Sequence, residues 1–135
     1  MRKDLSHALW IAAGGSLGAL ARHGLESAAR NAPLGDNLLP YATFGINVSG
    51  AFLLGWIMAR AARSPGGGDW LRSFGGIGFC GAFTTFSTMN LEMVEMVTHG
   101  RWPLAVAYFA SSFLCGIGAA WVGARWGIPK REALQ

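Results

Sequence analysis

Gly78–Phe79–Cys80–Gly81–Ala82–Phe83–Thr84–Thr85–Phe86–Ser87–Thr88–Met89 lies in an apolar stretch that carries no charge until Glu92. It mixes glycines, four hydroxyl side chains (Thr84, Thr85, Ser87, Thr88) and three phenyl rings. An uninterrupted helix is a poor fit to such a segment. Gly costs about 1 kcal/mol against Ala in a helix interior, and adjacent β-branched Thr residues cost roughly a few tenths each. In a bilayer, broken backbone is tolerated only where protein buries it or where it lines a cavity. The stretch therefore predicts two half-helices meeting near Phe83–Thr85, with an ion or solute site at the break.

The rest of the chain places that break in a membrane. Its 135 residues suit one domain, and 52% are hydrophobic while only 13% are charged; soluble domains average about 25% charged. Twenty glycines favour close helix approach in lipid, and six tryptophans favour a membrane interface. The net charge of +4 is modest, and no basic patch is interleaved with aromatics, so nucleic acid is not an expected partner. Cys80 and Cys115 both fall in apolar stretches without CxxC spacing or a histidine cluster, which reads as two buried reduced thiols.

Four apolar stretches with short polar joints give a single all-α membrane domain, with spans at about 8–29, 38–62, 70–99 (broken near 82–85) and 103–126. Gly14 and Gly18 form a GxxxG packing face in the first. A rival reading takes Arg2 and Lys3 as the n-region of a signal peptide and Ala19–Leu20–Ala21 as its cleavage site; it would leave an odd number of spans. Four spans put both termini on one side. Arg2, Lys3, Arg60, Arg63, Arg72, Arg125, Lys130 and Arg131 fall on that side, and Arg22, Arg30 and Arg101 on the other. By the positive-inside rule the termini are then cytoplasmic.

No catalytic constellation appears, so an enzyme is not expected. His7, His23 and His99 are scattered near segment ends, and Glu26, Glu92 and Glu95 are read as lying near span ends. What lies mid-membrane is a set of neutral donors: Asn47, Thr84, Thr85, Ser87, Thr88, Tyr108 and Ser112. Tyr108, Ser112 and Gly116 share one helix face at i, i+4, i+8. Donors without full charge suit a small anion that must be held and then released. Phenyl edges carry positive partial charge and can face an anion. Freed carbonyls of a broken helix suit a hard cation such as Na⁺. Each of these side chains also has a plain reading as helix-to-helix packing.

Three motifs carry a resemblance. Gly15–Ser16–Leu17–Gly18–Ala19–Leu20–Ala21–Arg22, Asn47–Val48–Ser49–Gly50–Ala51–Phe52, and Gly78–Phe79–Cys80–Gly81 leading into Thr84–Thr85–Phe86–Ser87–Thr88 resemble the Fluc (CrcB) fluoride channel family over nearly the whole chain. The resemblance implies a multi-pass protein of the cell inner (plasma) membrane, an antiparallel dual-topology homodimer with two pores. Such a channel passes fluoride out of the cytoplasm and so gives fluoride resistance. It also implies a structural Na⁺ at the dimer interface, held by backbone carbonyls of Gly81 and Thr84. By the same resemblance Asn47 is the pore-lining amide and Phe86 one ring of a paired-phenylalanine fluoride site. Ser87 and Thr88 are its neighbouring hydroxyls, Tyr108 and Ser112 a polar track, and Arg22 the vestibule arginine.

The sequence departs from the family pattern at Met89, which stands at the second ring position and lacks a ring edge. Ala82 replaces a frequent glycine, and Gly116 shortens the hydroxyl track. The eight-to-three basic bias also raises one preferred orientation with an oppositely oriented paralogous partner as an alternative to the homodimer. Two other functions compete: a small proton-coupled multidrug exporter, which needs a mid-membrane carboxylate, and a non-conducting accessory membrane subunit.

Overall fold

The computed structural model describes residues 2–33, 39–64 and 68–128, and every regular element among them is helical. The first pass is α1 (Arg2–Arg30) and the second α2 (Leu39–Ala61), with Pro40 in its first turn, where a missing N–H costs nothing. The third pass begins as α3 (Gly68–Leu71), continues as a π-helical segment (Arg72–Cys80) and ends as α4 (Gly81–Phe83). It resumes as α5 (Phe86–Thr98), and α6 (Trp102–Trp126) makes the fourth pass. By length and composition alone, Pro40–Ala61 and Trp102–Trp126 qualify as membrane spans. The first pass carries Arg22, His23, Glu26 and Arg30 in its last third, and the third is interrupted. Lys130 and Arg131, counted above among the basic residues on the side of the termini, lie outside the described residues.

The break falls where the sequence places it. The last bond of the first half runs from Thr84 N–H to Cys80 O at 3.0 Å. Thr84 (ψ 153°) and Thr85 (φ −143°, ψ 118°) are then extended, the conformation β-branched residues favour. Thr85 restarts the helix as its N-cap, its Oγ1 accepting the Thr88 N–H at 3.1 Å. The π geometry of Arg72–Cys80 was not legible in the sequence. Its buried glycines face both neighbours: Gly75 meets Ile57 of α2, and Gly78 meets Ile11 and Gly14 of α1. The α5–α6 turn closes as a Schellman motif, with Arg101 N–H to Met96 O at 2.8 Å and Gly100 N–H to Val97 O at 2.9 Å. Gly100 supplies the required φ of +72°.

Two glycine seams hold the bundle. At Gly14 and Gly18 of α1, an added Cβ would overlap the carbonyls of Phe74 and Phe79. At Gly123 of α6 it would overlap the Phe52 carbonyl of α2. Backbone-to-backbone approach of this kind is how helices associate in lipid. Gly18→Val is expected to lower the thermal midpoint of the purified protein sharply, since carbonyl overlap cannot be relieved by a rotamer and overpacking costs about 1–3 kcal/mol or more. Gly24→Ala, which meets nothing within 4 Å, is expected to be neutral or stabilising. Circular dichroism melting of the two variants checks both.

Cys115 is exposed on α6 rather than buried, because it faces away from the α2 seam, whereas Cys80 is buried as expected.

Candidate ion pathway

The polar groups of the bundle form a ladder along α2, α5 and α6. Its first rung spans the break. Asn47 Nδ2 donates to Thr85 O at 3.0 Å, and Thr85 N–H donates to Asn47 Oδ1 at 2.8 Å. One side-chain amide thus satisfies both backbone groups of an extended residue, which would otherwise cost about 1–3 kcal/mol for each unpaired group. Around it, Thr85 Oγ1 donates to Thr88 Oγ1 at 2.9 Å and lies 3.3 Å from Ser87 Oγ. Thr84 turns its hydroxyl back to Cys80 O at 2.9 Å.

The second rung corrects the sequence reading. Glu92 was placed near a span end; it is buried, with 7% of its surface exposed. Thr43 Oγ1 donates to its Oε1 at 2.6 Å, and Tyr108 Oη donates to its Oε2 at 2.7 Å. Thr43 is fully buried. A buried carboxylate is tolerated only with such partners. Neither Glu92 nor Thr43 was singled out from sequence. The signal was there: Thr43 stands one turn before Asn47 on α2, and Glu92 lies seven residues after Thr85, on the same face as Thr88 and Met89.

The other expected site residues divide. Met89 is buried on the inner side of α5, whereas Phe86 is 68% exposed; a single chain does not enclose the phenyl ring. Ser87 is exposed and Thr88 half-buried. Ser112 is half-buried, and its Oγ is buried without a hydrogen-bond partner. It sits one turn along α6 from Tyr108, directed by helix period to the same face. Gly81 is exposed, and no atom lies within 4 Å of where its Cβ would be. Arg22 is half-buried on α1, one turn beyond the Gly18 seam. Separate from the ladder, an open apolar cleft of about 340 Å³ lies between α1 and α2, lined by Leu25, Tyr41, Ala42, Gly45, Ile46 and Ser49.

The carbonyls at the break have a donor set of interest. In a continuous helix Gly81 O would accept from Thr85 N–H, and Thr84 O from Thr88 N–H. Those two N–H groups go instead to Asn47 Oδ1 and Thr85 Oγ1. Gly81 and Thr84 thus lose their helical donors to side chains, which leaves hard oxygen ligands of the type Na⁺ takes.

Neutral donors gathered at a helix break, in an all-helical chain with two helices long and apolar enough to cross a membrane, define a candidate ion-binding site in a helical protein. The chain belongs to the CrcB family: the model described as CrcB-like protein, Camphor Resistance (CrcB), matches residues 9–124. Its relatives include the fluoride-specific ion channel FluC 2 of Geobacillus kaustophilus (strain HTA426), 37% identical over 124 residues, which cover 92% of this chain and 95% of that protein. FluC 2 of Symbiobacterium thermophilum is 43% identical over 115 residues, covering 85% and 92%. FluC of Acidobacterium capsulatum is 44% identical over 121 residues, covering 85% and 90%. Both are likewise named fluoride-specific ion channels.

Proposed function

We propose that this chain is a passive fluoride-selective channel of the plasma membrane that lets cytoplasmic fluoride leave the cell. The observation that carries the reading is the cluster of neutral hydrogen-bonding groups at the helix break, in a chain whose relatives are named fluoride-specific channels. Fluoride is small and holds its water strongly, so a path must replace that water with donors and still release the ion. Asn47 keeps a second N–H beyond the one given to Thr85. Ser112 has a hydroxyl without a partner. Ser87, Thr88 and Tyr108 extend the ladder on either side, and Arg22 raises anion concentration at its mouth. Met89 presents an adaptable, polarizable side chain where the family pattern has a ring.

Phe86 joins this path only when a second surface covers it, which supports assembly as an antiparallel homodimer with two pores. The eight-to-three basic bias competes with equal insertion in both orientations. A Na⁺ at the pair interface would be held by the Gly81 and Thr84 carbonyls, and it would neutralise backbone dipoles left by the break.

The test is efflux from proteoliposomes loaded with fluoride or chloride. Fluoride is expected to leave at least about a hundredfold faster than chloride; equal rates overturn the proposal. The multidrug-exporter reading gains one observation, the buried carboxylate of Glu92. Fluoride efflux that needs no pH gradient excludes it, and purified protein that carries no ion favours an accessory subunit.

A further inference from the structure

Two helices end on the same pattern. Trp56–Ile57–Met58–Ala59–Arg60 closes α2, and Trp121–Val122–Gly123–Ala124–Arg125 closes α6. In each, the guanidinium folds back over the indole four residues earlier. Arg60 Cζ lies 5.4 Å from the Trp56 ring centroid, and Arg125 Cζ lies 4.4 Å from that of Trp121. A guanidinium held over a ring by its flat face keeps its in-plane N–H donors available to a further partner.

The two ends face the same way. Gly123 is seated on the Phe52 carbonyl and Gly127 on that of Trp56, so α2 and α6 run parallel and finish at the same side of the bundle. Trp10 and Trp70 meet there too, with ring centroids 6.1 Å apart. Five of the six tryptophans (Trp10, Trp56, Trp70, Trp121, Trp126) thus mark one end. Tryptophan prefers the headgroup level of a bilayer, and stacking on it holds an arginine at that depth.

Charge at that end is unbalanced. Arg60 and Arg125 are both exposed, and among the described residues neither is in an ion pair. Among the described residues that end carries Arg2, Lys3, Arg60, Arg63, Arg72 and Arg125 against Asp4 and Asp69; the other carries Arg22, Arg30 and Arg101 against Glu26 and Glu95. Basic groups facing a membrane surface attract anionic lipid, and a guanidinium pairs with phosphate bidentately where an ammonium does not.

We propose that the paired Trp-x-x-x-Arg ends of α2 and α6 are binding sites for the phosphate of an anionic phospholipid, in whichever leaflet the basic end of each subunit meets. The competing reading makes these arginines markers of orientation with no lipid preference. The proposal rests on the chain spanning a bilayer and is independent of the ion it carries.

Tryptophan quenching by lipids with brominated acyl chains tests it, using the full chain in phosphatidylcholine vesicles containing brominated phosphatidylglycerol or brominated phosphatidylcholine. The wild type is expected to prefer phosphatidylglycerol by about fivefold per arginine, the equivalent of about 1 kcal/mol each. R60Q/R125Q is expected to lose that preference while eluting and carrying fluoride as the wild type does. R30Q/R101Q, at the other end, is expected to keep it. R60K/R125K, with charge but no flat fork, is expected to lose at least half. Retained preference in R60Q/R125Q overturns the proposal. So does equal loss in R30Q/R101Q, or full retention in R60K/R125K, which would reduce the effect to net charge. Displacement of phosphatidylglycerol by inorganic phosphate, beyond that by chloride at matched ionic strength, would assign the arginines to a soluble anion instead. Failure of wild-type fluoride efflux would sink the channel reading and leave this one standing.

Discussion

Asn47→Asp is expected to abolish fluoride efflux, lowering it by at least about a hundredfold, while the protein still elutes as a folded species. The substitution changes one donor into an acceptor at the point where the amide bridges the break. Aspartate can still accept the Thr85 N–H that Asn47 Oδ1 takes at 2.8 Å. It cannot donate to Thr85 O, which Asn47 Nδ2 reaches at 3.0 Å. A carboxylate oxygen then faces a carbonyl oxygen, and an unsatisfied group of this kind costs about 1–3 kcal/mol. The second effect acts on the ion. A negative charge near 4 Å from a passing anion opposes it by about 4 kcal/mol at an effective dielectric constant of about 20. With each 1.4 kcal/mol worth about tenfold, that repulsion alone exceeds the predicted loss. Asn47→Ala separates the two: it removes the bridge but adds no charge. An efflux drop of about tenfold in Asn47→Ala against more than a hundredfold in Asn47→Asp assigns the difference to the ion's path. Unimpaired efflux in Asn47→Asp would remove this residue from the pathway.

The break in the third helix was legible because it rests on local chemistry. Adjacent threonines and flanking glycines disfavour a helix wherever they occur, and Thr85 caps the next one by an equally local bond. The four-helix layout was legible for a similar reason, since apolar length and turn residues such as Gly100 act within a few positions. The π-helical course of Arg72–Cys80 was not, because it depends on how three glycines meet α1 and α2. Glu92 shows the limit most clearly. Seven residues past Thr85, a carboxylate among methionines and valines looks like the polar end of a span. Only the crossing of α2 and α6 brings Thr43, 49 residues away, and Tyr108, 16 residues away, to its two oxygens. Phe86 is the converse case. Its residue type was readable, but its 68% exposure leaves the ring's partner to another surface.

Glu92→Gln is expected to slow fluoride efflux about tenfold while changing the thermal midpoint little. Both oxygens of Glu92 accept hydroxyl protons, from Thr43 and from Tyr108. The carboxylate therefore competes with an arriving anion for donors of the same ladder, and its charge pushes that anion on. Conduction requires binding weak enough to release. In the glutamine variant the amide oxygen accepts one hydroxyl, and the amide N–H₂ donates to the other, whose own proton is freed for the ion. The packing is unchanged in volume, so stability is kept. The anion finds one more donor and one less charge, and it stays longer. A distinct readout follows by mass action, because a ligand bound more tightly to the folded state raises its apparent stability. Added fluoride should therefore raise the melting midpoint of Glu92→Gln more than that of the wild type. Glu92→Ala provides the contrast. It strands two buried hydroxyls at about 1–3 kcal/mol each, so it should melt at a lower temperature and gain nothing from fluoride. Wild-type efflux in Glu92→Gln, with no added stabilisation by fluoride, would leave the carboxylate as a structural tie between three helices and no part of the path.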